Sequence, residues 1–261
     1  MAKDQTILFH STIFGPIHSR RLGVSLGVNL SPYDGKVCSF DCLYCEAGFN
    51  AQGAGKSGLP AREDVARLLD EKLTEMRQNG DKLDVITFSG NGEPTLHPHF
   101  AEIIDDTIAI RDKHFPEAKV SVLSNSTQLH RPDVCEALRR VDNNILKLDS
   151  ALEKSMRLID RPVAKDFTVE KVVEQLKQFE GQAIIQTMFL RGEHSGEPVD
   201  NTVDAEVNAL IEAYKAIRPR EVMIYSLDRS TPEENLNKVP KEELLTIGEK
   251  VKAAGIAVQV N

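Results

Sequence analysis

No stretch of 18 apolar residues occurs in the chain, so a membrane-spanning helix is not expected. The first ten residues, MAKDQTILFH, carry an acid at position 4 and hold no long apolar core. They do not read as a secretory leader, and a cytoplasmic location is the expectation. Positive charge is in deficit: 32 Lys and Arg stand against 40 Asp and Glu, a net of -8. That balance disfavours a broad basic face for nucleic acid and leaves at most a local patch, with Arg20, Arg21, Arg139 and Arg140 as candidates. Internal repeats and low-complexity tracts are absent, and no segment marks a clear boundary. The 261 residues read as a single domain, 1–261, long enough to bury a core. Cysteine is scarce as well. Of only four, three fall within eight residues and the fourth, Cys135, is remote. A disulfide framework spreads an even set of cysteines through a small secreted domain, whereas crowded cysteines in a leaderless chain suggest metal.

What the chain does have is alternation. Val65, Leu68, Leu69, Leu73 and Met76 share one helical face, as do Phe100, Ile103, Ile104 and Ile108. The same spacing recurs at Val169, Val172, Val173 and Leu176, and at Val203, Val207, Leu210, Ile211 and Tyr214. Shorter helices are predicted around 134–141 and 241–254, the latter stopped by Gly255. Between them run β-branched segments at 83–88, 119–123, 144–149, 183–190 and 221–227, with a first strand in 22–30 and a last in 256–260. Near-continuous apolar strands alternating with amphipathic helices indicate an α/β fold with a parallel sheet covered on both faces. About six β/α units can be counted, two short of a closed barrel. The expectation is an open, partial (β/α)6 TIM-like barrel, with a doubly wound open sheet as the alternative; in either, ligands lie beyond the carboxyl ends of the strands. Segment 46–59, rich in Gly, Ala and Ser, reads as a mobile loop, and 191–201 as a second, polar loop.

Cys38, Cys42 and Cys45 form a C-x3-C-x2-C array. Thiolates are soft ligands suited to zinc or iron–sulfur clusters. Structural zinc takes four ligands in a closed tetrahedron, and only three cysteines are at hand. Three thiolates on a four-iron cluster leave one iron free to bind a cofactor or substrate. With Tyr44 as the aromatic before the last cysteine, the array resembles the signature of the radical S-adenosylmethionine superfamily. A second likeness follows strand 83–88, where Ser89-Gly90-Asn91-Gly92-Glu93-Pro94 is similar to that family's GGEP turn, with Asn91 in place of the usual glycine. In the family this turn binds the amino group of the cofactor, so the resemblance assigns Gly92, Glu93 and Pro94 to that task. Glycine permits close backbone approach, and a buried carboxylate suits an ammonium. A second Gly-Glu-Pro, at 196–198, lies in a polar loop and reads as a surface turn.

The resemblance also implies cofactor contacts from Tyr44, from Ser124 and Asn125 after the third strand, from Lys147 and Asp149 after the fourth, and from Gln186 on the fifth. The string from Phe14 to Gly23, Leu148-Asp149 and Ile159-Asp160-Arg161-Pro162 look like a little-characterised subgroup related to tRNA wyosine synthases. Family membership would imply a [4Fe-4S] cluster on Cys38, Cys42 and Cys45, bound S-adenosylmethionine and an external one-electron donor of flavodoxin or ferredoxin type. It would imply reductive cleavage of the cofactor to a 5′-deoxyadenosyl radical that takes hydrogen from a substrate the sequence does not name. The acidic balance points away from tRNA as that substrate. An iron–sulfur electron carrier and a zinc-binding scaffold are the competing readings. Cys135 fits a buried small hydrophobe on its helix. His97, beside the Gly-Glu-Pro turn, fits either a substrate contact or a helix opening, and His10, His18, His194, Asp228 and Arg229 lie near strand or loop ends.

Overall fold

Seven parallel strands form the sheet in the computed structural model, which describes residues 7–19 and 22–261. The chain runs β1 (Ile13–Ser19), β2 (Gly23–Val28), α1 (Arg62–Asn79), β3 (Val85–Phe88), α2 (Phe100–His114), β4 (Lys119–Ser124), α3 (Pro132–Arg140), β5 (Asn143–Lys147), α4 (Glu153–Ile159) and α5 (Val169–Leu176). It continues through β6 (Ile184–His194), β7 (Glu197–Asp200), α6 (Asp204–Ile217), β8 (Glu221–Ser226), β9 (Leu236–Lys238), α7 (Lys241–Ala253) and β10 (Val258–Val260). The main path of the sheet is β1-β2-β3-β4-β5-β6-β8-β10, with β1 antiparallel on one edge. Its two ends do not pair among the described residues, so six β/α units and a closing strand make an open, partial barrel. No described helix is long and apolar enough to cross a membrane. Of the candidate basic patch, Arg20 and Arg21 lie outside the described residues. Arg139 stacks over Phe179 and Arg140 pairs with Asp105, both at the outer helices.

The two faces of the sheet differ because strand side chains alternate. Leu26 and Val28, Ile86 and Phe88, Val120 and Val122, and Leu146 join the main core with helix residues such as Leu69, Leu73, Ile103 and Ile104. The alternate positions carry smaller or polar groups. Ser25 Oγ lies 2.8 Å from Thr87 Oγ1, and Asn143 Nδ2 donates to Ser121 Oγ at 2.9 Å. The apolar exceptions among the described residues are a compact cluster of Ile145, Ile184 and Met223 and, nearer the strand ends, Met188 and Leu190 of β6, which pack with Leu43. The bulk of the core therefore lies under the helices, while the concave face carries a thin floor of hydroxyls and amides below the strand ends.

Helix boundaries follow local chemistry. Gly80 stops α1 in the left-handed region, where glycine carries no Cβ penalty, and Thr168 caps α5 by accepting from the Lys171 amide. Three features depart from the sequence expectation. Residues 191–201 are not a loop: β6 runs on to His194 and returns through Ser195–Gly196 as β7, with Arg191 opposite Asp200. Its apolar pattern ends at Leu190, which hides a strand extension that leaves the core. Segment 46–59 is tied down at several points. Gly48 O accepts from Lys36 Nζ, Gly53 O accepts from the Lys36 amide, and the Asp34 carboxylate accepts from Lys56 and Ser57. These partners lie outside the segment, so its composition alone suggested mobility. Finally, β1, β9 and α4 are short or half-exposed and lack the periodicity that reveals the longer elements.

Phe88 is fully buried against Phe100 at the junction of sheet and helices. Phe88→Ala is expected to lower the unfolding free energy by about 3–5 kcal/mol. Urea denaturation measures this, and a loss below about 1 kcal/mol would contradict the packing described.

Candidate functional site

The loops that leave the carboxyl ends of β2, β3, β4 and β5 carry most of the residues singled out in the sequence. The cysteine loop after β2 is stitched to the turn after β3 by backbone pairing. Val37 N donates to Asn91 O at 3.1 Å, and Glu93 N donates to Val37 O at 3.0 Å, so Val37 and Gly92 form a parallel bridge. A Cβ at Gly92 would sit 1.9 Å from Val37 O, which leaves room only for glycine. Asn91, the departure from the family pattern, is wholly buried. Its side-chain amide donates to Phe9 O and Pro32 O at 2.8 and 2.9 Å, and its carbonyl accepts from Phe9 N at 2.8 Å. The substitution thus straps the N-terminal segment onto the turn.

Glu93 is buried under the same turn. One carboxylate oxygen accepts from the Asn125 amide at 2.6 Å, and the other from Thr95 N and Thr95 Oγ1 at 3.1 and 2.5 Å. Burial pushes its pKa up against these donors. An arriving ammonium would reverse that shift, because an opposite charge favours the ionised form. Pro94 opens a short 3-10 turn immediately afterwards.

On its other side the cysteine loop pairs with the segment after α4. Leu43 N donates to Ile159 O at 3.0 Å, Asp41 N to Asp160 O at 3.1 Å, and Val163 N to Ser39 O at 2.9 Å. The string Ile159-Asp160-Arg161-Pro162 is therefore the outer wall of the cysteine loop. Lys36, buried, holds Gly48 O at 2.8 Å and stands 3.6 Å from Asp41, which also accepts from the Asn50 amide at 2.6 Å. Lys36 and Asp41 escaped the sequence reading, since nothing in the local pattern tells a buried clamp from a solvated loop pair.

Cys38, Cys42 and Cys45 are all free thiols in this loop and half-buried. Cys38 Sγ accepts from Phe40 N at 3.4 Å and Asn125 Nδ2 at 3.5 Å. Burial pushes the Cys38 thiol up to about 11 and the Cys42 thiol well above its usual range. Such thiols ionise only if a cation compensates them, as metal coordination does. Among the described residues no three His, Cys, Asp or Glu side chains converge as they would on a single metal ion. A four-iron cluster spreads its thiolates over separate iron atoms, and three thiols on one anchored loop fit that donor set. The fourth cysteine does not join them. Cys135, buried on α3, donates to Leu129 O at 3.2 Å.

Behind Cys42 lies a closed ionic network. The Lys147 ammonium contacts Asp149 and the Tyr44 hydroxyl, lies 2.9 Å from Asp160 Oδ1, and sits 4.4 Å from the centre of the Tyr44 ring. Tyr44 in turn donates to Asp149, whose second oxygen accepts from Met188 N at 2.8 Å. Burial disfavours the ammonium, but Asp149 and Asp160 hold its pKa well above the usual lysine range. Burial likewise raises Asp160, against the pull of Lys147. Lys147 and Asp149 thus stand at the strand end, as the sequence placed them, with their charges turned on each other.

The remaining candidates divide. Ser124, buried, accepts from the Ser126 amide, and Asn125 bridges Glu93 to Cys38, so both border the site. Gln186 is half-buried beside Lys147 in the strand register and lies 3.5 Å from the Tyr225 hydroxyl. His97 opens no pocket: one ring nitrogen lies 2.9 Å from Pro60 O and the other accepts from the His99 amide at 3.2 Å. Arg229 pairs with Glu46, Asp228 with Lys238, and His194 with Glu233. The second Gly-Glu-Pro occupies the β6–β7 hairpin, as its polar surroundings suggested.

Comparison with known proteins places these features in a family. The model described as the Radical SAM superfamily matches residues 33–193. A UPF0026 protein of Methanocaldococcus jannaschii is 31% identical over 239 residues, 89% of this chain and 68% of its own length. Among solved structures, a radical SAM methyltransferase from Sphaerobacter thermophilus superposes with a TM-score of 0.65 at 13% identity, covering 91% of this chain and 65% of that one. TYW1 with a lysine–pyruvate adduct bound superposes with a TM-score of 0.57 at 16% identity, covering 88% of this chain and 73% of that one. At such identities the two structures speak for the fold alone.

Gly92→Ala is expected to cost on the order of 3 kcal/mol, because overpacking against fixed backbone exceeds the usual methylene penalty. Gly181→Ala, with a φ of 71° but nothing within 4 Å of the added Cβ, should cost only about 1–2 kcal/mol for its left-handed backbone. Parallel denaturant titrations compare the two, and equal losses would remove the case for close approach at Val37.

Proposed function

The chain belongs to the radical SAM superfamily, and from that premise we propose that it reductively cleaves S-adenosylmethionine and uses the resulting radical on a substrate held at the barrel mouth. The superfamily works with a [4Fe-4S] cluster and S-adenosylmethionine. Together these supply one-electron cleavage of a carbon–sulfur bond, giving methionine and a 5′-deoxyadenosyl radical able to take hydrogen from a substrate. The observation that carries the proposal is the pairing of a three-cysteine loop with a buried Gly-Glu-Pro turn across Val37 and Gly92.

In this reading Cys38, Cys42 and Cys45 hold the cluster. Their loop is fixed on one side by Asn91–Glu93 and on the other by Ile159–Val163, so the thiols are presented with little reorganisation. Gly92, Glu93 and Pro94 receive the amino group: glycine admits it to the backbone, and Glu93 offers a buried carboxylate. Asn125 ties that carboxylate to Cys38 and so couples cofactor pocket and cluster loop. Ser124, Gln186 and Tyr44 border the remaining cofactor. The concave floor below supplies hydroxyls and a thin apolar patch, which keeps bulk water from the strand ends. An external one-electron donor completes the system. We take residues 1–261 as one catalytic domain, and the chemical class of the substrate stays open.

The electron-carrier and zinc-scaffold readings both call for a fourth protein ligand. Cys135, engaged with Leu129 O inside the core, gives them no support.

Anaerobically reconstituted protein with dithionite and S-adenosylmethionine should yield 5′-deoxyadenosine by liquid chromatography. Cys42→Ala should reduce the yield to background and Cys135→Ala should leave it. Glu93→Ala should weaken cofactor binding by roughly 10–100-fold, the loss of a charge-assisted hydrogen bond. A brown, cluster-bearing protein that yields no 5′-deoxyadenosine would refute the proposal.

A further inference from the structure

Lys147 is a largely buried cation at the strand end, beside the cysteine loop, that the reaction as described does not use. The resemblance assigns such a strand-end residue to the cofactor's carboxylate, yet its ammonium is engaged by Asp149, Asp160 and Tyr44. The network is anchored at three points: Lys147 on β5, Asp149 through the Met188 amide, and Asp160 at the C-terminal end of α4. It also touches a cysteine. One and the same oxygen, Asp160 Oδ1, lies 3.8 Å from Cys42 Sγ and 2.9 Å from Lys147 Nζ. The side chains of Lys147, Asp149 and Asp160 are 14%, 1% and 3% exposed, so solvent screens these charges little. When Cys42 is a thiolate, the Asp160 carboxylate is a like charge beside it. Lys147 is the cation that makes the neighbourhood tolerable.

We propose that Lys147, held by Asp149, is a positioning residue for the cluster rather than a cofactor ligand: its fixed charge behind Cys42 sets the ease with which the cluster accepts an electron, and Asp160 opposes it. The inference rests on the radical SAM reading of the cysteine loop. Its physics is general. Adding an electron makes a thiolate-bound cluster more negative, so a nearby cation favours the reduced form and a nearby anion disfavours it. Asn125 Nδ2 and the Phe40 amide, on Cys38, act in the same sense as the cation.

The two charges can be removed separately. Reconstituted wild-type protein, Lys147→Met, Lys147→Arg and Asp160→Asn would be titrated anaerobically at about pH 8, with the reduced cluster followed by electron paramagnetic resonance, and S-adenosylmethionine affinity measured on the same samples. Expected are a downward shift in midpoint potential for Lys147→Met, an upward shift for Asp160→Asn and a near-native value for Lys147→Arg. Cofactor affinity should change less than threefold in all of them. A general loosening of the fold does not produce shifts of opposite sign. Should Lys147→Met fail to take up a cluster, Asp160→Asn decides alone, and an unmoved or lowered potential overturns the proposal. A tenfold loss of cofactor affinity in Lys147→Met at unchanged potential would also overturn it and return Lys147 to the cofactor. Wild-type protein that binds no cluster would instead defeat the functional reading itself.

Discussion

The site depends on a short piece of β-like pairing outside the sheet proper. Val37, one residue before the first cysteine, exchanges backbone hydrogen bonds with Asn91 and Glu93, and residues 39–43 do the same with 159–163 on the opposite side. A loop that must present three thiols has few side chains to spare for its own support. Here the support comes from main chain, which each residue carries regardless of its identity. The side chains left over reinforce it: Lys36 and Asp41 clamp the loop from within, and Asn91 binds the N-terminal segment over the turn.

This arrangement explains why the open barrel suffices. Its large apolar core lies between sheet and helices, so the strands are rigid without a packed interior. The concave face is free to be shallow and polar. In a closed barrel those positions would be filled with branched side chains. Here Ser25, Thr87, Ser121 and Asn143 satisfy one another in pairs and leave the space above them to ligands.

Much of the architecture is legible in the sequence, because long amphipathic helices and apolar parallel strands declare themselves by period. The six β/α units and their open closure follow from that count. The family is legible where residue type and spacing are demanding, as with three cysteines in eight positions or a glycine-acid-proline turn directly after a strand. What escaped was long-range. Nothing near Asp160 in sequence announces that its carboxylate faces Cys42, or that Arg161 and Pro162 lie along the cysteine loop. Lys147 was placed at the correct strand end, but its partners come from two other segments, and a lysine's neighbours decide whether it greets a ligand or a carboxylate. The β6–β7 hairpin was missed for a simpler reason: once a strand leaves the core, its alternation has no apolar partner to reveal it.

The wall formed by residues 159–163 also imposes an order in time. Cys42 meets Asp160 across 118 positions of sequence, so during synthesis the cysteines emerge long before their outer support exists. Such distant contacts close late. A nascent chain ending before α4 would expose three oxidisable thiols with half of their framework missing. The loop therefore gains its full support only once the segment after α4 has been made, and the fold sets the order in which the site is completed.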